Sequence, residues 1–217
     1  MHNRPDMNGK RPVTVAKPLV FRAHPVADLF VAEDKGNCAA CHPVDAAPDG
    51  TPPLFTDFTY DNLGIPRNVN IPGDPDPDPG LGGRADIAAA DPAGEQLGKH
   101  KVMGLRNIAV TAPYMHNGVL QTLEQLVHFY NTRDTKDRVC DDNNDPGFGV
   151  DCWPAAEVAR NVNSDELGDL GMSVQQERAL VAFMQTLTDG YPQWGNDPTV
   201  PPGTPSPFAS VALPPAP

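Results

Sequence analysis

The sequence predicts a mostly α-helical domain threaded by long Pro- and Gly-rich loops. Two observations carry that expectation. The 217-residue chain holds 26 Pro and 19 Gly, a balance that favours irregular connections around a helical centre over a sheet protein. Against that background, two stretches keep helical spacing, and each opens on a capping signal. In the first, Thr122 and Gln125 form a capping-box pattern, and Leu123, Leu126, Val127 and Tyr130 share one face. In the second, Ser173 and Gln176 occupy the box positions, Leu180, Phe183, Met184 and Leu187 form the apolar face, and Gly190 is placed to stop the helix.

The remaining elements follow in chain order. Residues 1–25 are polar, with Pro5, Pro12, Pro18 and Pro25, and read as an extended arm. The stretch "VADLFVAEDKGNCAACH" has Val26, Leu29, Phe30 and Cys41 as its apolar positions and reads as a short helix. Residues 43–98 are loop-rich. Within them "IPGDPDPDPGLGG" excludes a regular helix or central strand, because Pro recurs every second residue. Such a segment is ordered only where it lies on something, and its "DPDPDP" is a solvated acidic loop. The domain is expected to span 26–190, with 136–165 as a disulfide-closed insertion. Residues 191–217 form a Pro-rich tail without periodicity.

Formal net charge is −12. Such a surface repels nucleic acid and anionic membranes and suits a basic protein partner. No apolar run reaches the roughly 18 residues of a transmembrane helix. The opening "MHNRPDMNGKRPVTVAKP" has charges but no apolar core of a signal peptide.

Chemistry concentrates at "CAACH", Cys38 to His42. C-x-x-C-H is the attachment signal of c-type haem: Cys38 and Cys41 would form thioethers, and His42 would lie under the iron as proximal ligand. A redox CxxC would need a βαβ frame, which the loops do not offer. A structural zinc site would need a second ligand pair, and Cys140 and Cys152 have no nearby His. Those two cysteines bracket the polar stretch "DDNNDPGFGVD" and read as a disulfide closing it. Covalent haem and a disulfide both belong to an oxidising compartment, the periplasm or the cell exterior.

The strings "GNCAACHP", "FTYDNLGIPRN" and "KVMGLRNIAVTAPYMHNGVLQTLEQLVHFYN" resemble the bacterial diheme cytochrome c peroxidase and MauG family, in particular its C-terminal haem domain. The similarity covers residues 26–134 and returns in "ALVAFMQTLTDGY". It implies a cytochrome c-like haem domain. Family members carry two CxxCH motifs, and this chain has one. The peroxidases place a distal Met fourteen residues after the His matching His116. Here that place holds Tyr130, as in MauG-like members, so the resemblance makes Tyr130 the first choice for distal iron ligand. Met115 is the rival, and Met103, His116 and His128 remain as alternatives. Arg106 matches a haem-propionate partner. The carbonyls of Thr111 and Pro113 match positions that help bind calcium between two domains.

Three functions follow as expectations. The first is an electron-relay module with one covalent haem, working with a redox protein or a second haem domain or chain. The second is a peroxide-dependent peroxidase or oxidase, for which His100, His116 or His128 would have to supply acid–base help. The third is a structural haem subunit of an extracellular assembly, suggested by the Pro-rich arm and tail.

Overall fold

A computed structural model of the chain describes residues 27–73 and 75–188. The N-terminal arm, the C-terminal tail, Val26 and Gly190 lie outside the described residues. Among the described residues there are four α-helices: α1 (Ala27–Val31), α2 (Ala85–Ala90), α3 (Leu123–Thr132) and α4 (Val174–Thr186). Four short strands pair in twos: β1 (Tyr60–Asp61) runs antiparallel to β2 (His100–Lys101), and β3 (Arg138–Cys140) runs parallel to β4 (Cys152–Pro154). The expectation of a mostly α class is therefore too strong. Helices form the centre, but most of the described chain is turn and loop.

The loops stay ordered because short side chains do what a ladder would do elsewhere. Asp57, Asn62, Asp78, Asn117 and Asn163 each accept a hydrogen bond from the backbone N–H two residues on. The Pro-rich segment is tied to neighbouring chain at residues 78–80. The Gly98 N–H donates to the Pro79 carbonyl, and the Asp78 N–H donates to Glu157. At Gly80 (φ 58°) a Cβ would stand 2.4 Å from the Lys99 carbonyl oxygen, so this crossing requires glycine.

Helices α3 and α4 start where their caps predict. Ser173 and Gln176 close a full capping box on α4. On α3 only half the box forms: Thr122 accepts from the Gln125 N–H, while Gln125 Oε1 accepts from the Gln121 N–H instead. The α4 stripe is buried as expected at Leu180, Phe183 and Met184, and Leu187 follows the last helical turn. Helix α3 differs from the one-face reading. Leu123 and Val127 are buried with Asn131 on the same side, yet Phe129 is buried on another face. Phe129 packs edge-on against Trp153 at 5.1 Å, and Trp153 meets Phe148 in the same way at 5.4 Å. The helix is thus enclosed from several sides, which a stripe of four apolar residues did not reveal.

The first predicted helix breaks in two. Helix α1 ends at Val31, the chain turns, and a separate 3₁₀ turn forms over Cys38–Ala40 behind Asn37 in the left-handed region (φ 50°). Phe30 leaves α1 to pack on Phe183 of α4 at 5.2 Å, which brings the CxxCH turn against the helical centre.

Cys140 and Cys152 are joined by a disulfide, with Cα atoms 5.3 Å apart. It closes the loop linking β3 to β4. Replacing both cysteines by Ser should lower unfolding stability by about 3 kcal/mol through loop entropy, read from urea unfolding followed by circular dichroism.

Candidate functional site

The 3₁₀ turn over Cys38–Ala40 puts both cysteines and His42 on one wall of a cavity of about 620 Å³. That volume falls within the usual range of cofactor sites, about 300–1,000 Å³. Apolar side chains line its interior, among them Phe30, Ile65, Leu126, Val127, Leu180 and Met184. Both thiols are free, and burial pushes Cys38 up to about 12 and Cys41 up to about 11. Neither thiol is activated as a thiolate nucleophile would be.

His42 is the more informative group. Its Nδ1 lies 2.7 Å from the carbonyl oxygen of Phe55. A carbonyl only accepts, so Nδ1 must carry the proton. Nε2 is then left with a bare lone pair, the form a metal needs. Phe55 adopts a left-handed backbone (φ 55°) where it makes this contact. Burial depresses the His42 pKa, which keeps the imidazole neutral. Two free thiols, a neutral His with one nitrogen open, and an apolar cavity together fit a haem tethered through Cys38 and Cys41.

The structure sorts the distal candidates. Tyr130, on α3, lines the cavity. Burial raises its phenol pKa above the ordinary tyrosine value, with Cys38, Cys41 and Asp61 adding in the same direction. Met115 also lines the cavity, from a turn at φ 72°. Met103 stands on the rim at 66% exposure. His128 does not line the cavity, and both its nitrogens are engaged: Nδ1 donates to Glu177, and Nε2 accepts from Lys136. His116 lines the cavity with Nε2 donating to Glu157 at 2.9 Å. Arg106, Thr111 and Pro113 line the cavity as well. Among the described residues, one cluster of side chains of metal-ligating type with an unbridged thiol occurs, Cys41/Asp61/Glu166.

Comparison with known proteins decides the family. No family model matches the chain. It is 39% identical over 160 residues to the methylamine utilization protein MauG of Paracoccus denitrificans, covering 70% of this chain and 39% of that protein. It is 31% identical over 191 residues to the cytochrome-c peroxidase IdrP2 of Denitromonas iodatirespirans, covering 80% of this chain and 42% of that one. The crystal structure of the diheme peroxidase BthA from Burkholderia thailandensis superposes with a TM-score of 0.58 at 32% identity, over 80% of this chain and 44% of that one. The chain belongs to the MauG and diheme cytochrome c peroxidase family. It spans about two-fifths of the length of the curated relatives it matches.

Three features of this family member were not read from the sequence. The rings of His100 and His116 stack at 3.7 Å and 4° at the cavity wall. Burial and the neighbouring His116 both depress the His100 pKa. Glu157, the partner of His116, comes from a stretch 41 residues away with no motif to mark it. Arg133, just past α3, donates to the carbonyls of Leu63 and Asn163 at 2.8 and 2.9 Å and pairs with Asp134. Its side chain is only 7% exposed. Its one sequence signal was an Arg following a helix, which suits many surface positions. The planar fork spans three segments that a Lys cannot span. Arg133→Lys should cost about 2 kcal/mol of stability, measured by urea unfolding of the haem-loaded protein.

Proposed function

We propose that the chain is an electron-relay module carrying one covalent haem c, with His42 as proximal and Tyr130 as distal ligand. The observation that carries this reading is the His42 Nδ1–Phe55 hydrogen bond, made in the same cavity that Tyr130 lines. When bound, a haem supplies one-electron redox chemistry at iron, and its axial ligands set the potential. The chain's own residues hold that group and shield it. Cys38 and Cys41 tether it, the Phe55 carbonyl orients His42, and the apolar walls exclude water. Arg106 stands at the cavity edge, where a guanidinium would pair with a haem carboxylate. A phenolate oxygen favours ferric iron and lowers the potential relative to Met. The Tyr130 phenol ionises only when a cation faces it, because burial otherwise keeps it neutral.

The relay works with a second redox centre, either a basic redox protein or a further haem domain or chain. The family's diheme members support that expectation. The disulfide supports a location in the periplasm or outside the cell, the compartments in which haem c attachment and disulfides both belong. Among the described residues no helix is long and apolar enough to cross a membrane.

A second reading, peroxide-dependent oxidation, draws on the His116–Glu157 pair at the cavity wall. It requires an open iron face and a group that moves protons. Ferric EPR and magnetic circular dichroism separate the two. The relay reading expects a low-spin ferric signal without a Met-to-iron band, and its loss in Tyr130→Phe. A high-spin wild-type spectrum together with peroxide turnover would overturn it in favour of the second reading. An unchanged mutant with a Met band would move the distal role to Met115.

A further inference from the structure

We infer that Glu177 and Asn131 are positioning residues that hold the Tyr130 phenol in the cavity; this rests on the reading of Tyr130 as distal ligand. Tyr130 sits in the last turns of α3, between His128 and Asn131. Those two neighbours are tied to a single oxygen. Glu177 Oε1 accepts from His128 Nδ1 at 2.9 Å and from Asn131 Nδ2 at 2.5 Å. Residues three apart lie close together on one side of a helix. Two bonds from that side to one fixed point oppose rotation of α3 about its own axis. Tyr130, about 100° round from Asn131, is thereby aimed at the cavity.

The fixed point is itself well held. Glu177 lies in the first turn of α4, where the helix dipole favours a carboxylate. Its side chain is 13% exposed. Asn131, 5% exposed, uses both faces of its amide: Oδ1 accepts from the Met172 N–H, and Nδ2 donates to the Met172 carbonyl, each at 2.9 Å. Met172 also lines the cavity, so the same amide joins the cavity wall to the helix that carries the phenol. On the far side of His128, Nε2 accepts from Lys136 Nζ at 3.0 Å, and Lys136 donates to the Val150 carbonyl. With Nε2 accepting, the His128 proton sits on Nδ1, which is the tautomer Glu177 needs. The Tyr130 carbonyl adds a further tie, accepting from the Gly168 N–H at 2.7 Å.

None of these groups lines the cavity except Tyr130 and Met172. Their contribution is therefore aim. A ligand has to be held within about 0.5 Å of its working position, and the two bonds to Glu177 add to the packing of Val127 and Phe129 in fixing the roll of α3.

The test uses the haem-loaded full chain, with ferric EPR and magnetic circular dichroism on Tyr130→Phe, Glu177→Ala, Glu177→Gln and Asn131→Asp. Haem content and far-ultraviolet circular dichroism establish that each variant folds. We expect Glu177→Ala to split the single low-spin signal into several and to broaden the phenolate-to-iron band. Glu177→Gln keeps an acceptor at the same place and should restore the wild-type spectrum. Asn131→Asp sets a second carboxylate against Glu177 and should reproduce the Ala effect; it decides the matter if Glu177→Ala does not fold. A spectrum sensitive to Tyr130→Phe but unmoved by Glu177→Ala and Asn131→Asp would overturn the inference and leave the ligation reading standing. If Tyr130→Phe changes nothing, the ligation reading falls. The fluorine NMR signal of Tyr130 in ferrous, 3-fluorotyrosine-labelled protein then decides. A shift in Glu177→Ala upholds the positioning role, and an unshifted signal sinks it.

Discussion

A cavity of this size in a chain with so little regular structure has to be held open by something other than a sheet or a bundle, and Arg133 supplies much of that restraint. Its guanidinium joins the end of α3 to the carbonyls of Leu63 and Asn163. Leu63 lines one part of the cavity, and Leu167, four residues beyond Asn163, lines another. Three walls that approach from distant parts of the chain are thereby registered against one planar group. The charge is bearable because the guanidinium is hydrogen-bonded and faces Asp134. Gly168 completes the arrangement. At φ 108°, with a notional Cβ 2.0 Å from the Asp134 carboxylate, it leaves space that another residue would fill.

The interior chemistry is set by what burial does to each group. Burial keeps His42 neutral and the Cys38 and Cys41 thiols protonated. It also keeps the Tyr130 phenol protonated, so all four groups are uncharged in the polypeptide alone. The polar partners that give these groups direction, Phe55 for His42 and the Glu177–Asn131 network for α3, come from the surrounding shell. Direction and charge are thus controlled by different residues.

The clearest signals in the sequence were local ones. CxxCH is contiguous, so Cys38, Cys41 and His42 could be named before any fold was known. Two capping signals and the stripe at Leu180, Phe183 and Met184 placed α3 and α4 within a residue of their observed starts. The disulfide followed from two cysteines flanking a polar turn-rich stretch. The Tyr130 position was carried by family resemblance, and its helical spacing agreed with an inward direction. Composition overstated the helix content, because long Pro- and Gly-containing segments were counted as connections around helices that prove few and short.

Tertiary structure alone decided which groups meet. The Phe55 carbonyl that fixes the His42 tautomer lies thirteen residues away, in a stretch with no motif of its own. His128 looked like a candidate ligand until Glu177 and Lys136 were found to occupy both its nitrogens. The stacking of His100 on His116 and the fork of Arg133 likewise join residues whose separation in sequence has no period. Covalent attachment chemistry and helix caps depend on neighbours along the chain, so residue order determines them. Tautomer, ligand direction and cavity shape depend on neighbours in space, and only the packing of α3 and α4 with the intervening loops supplies those.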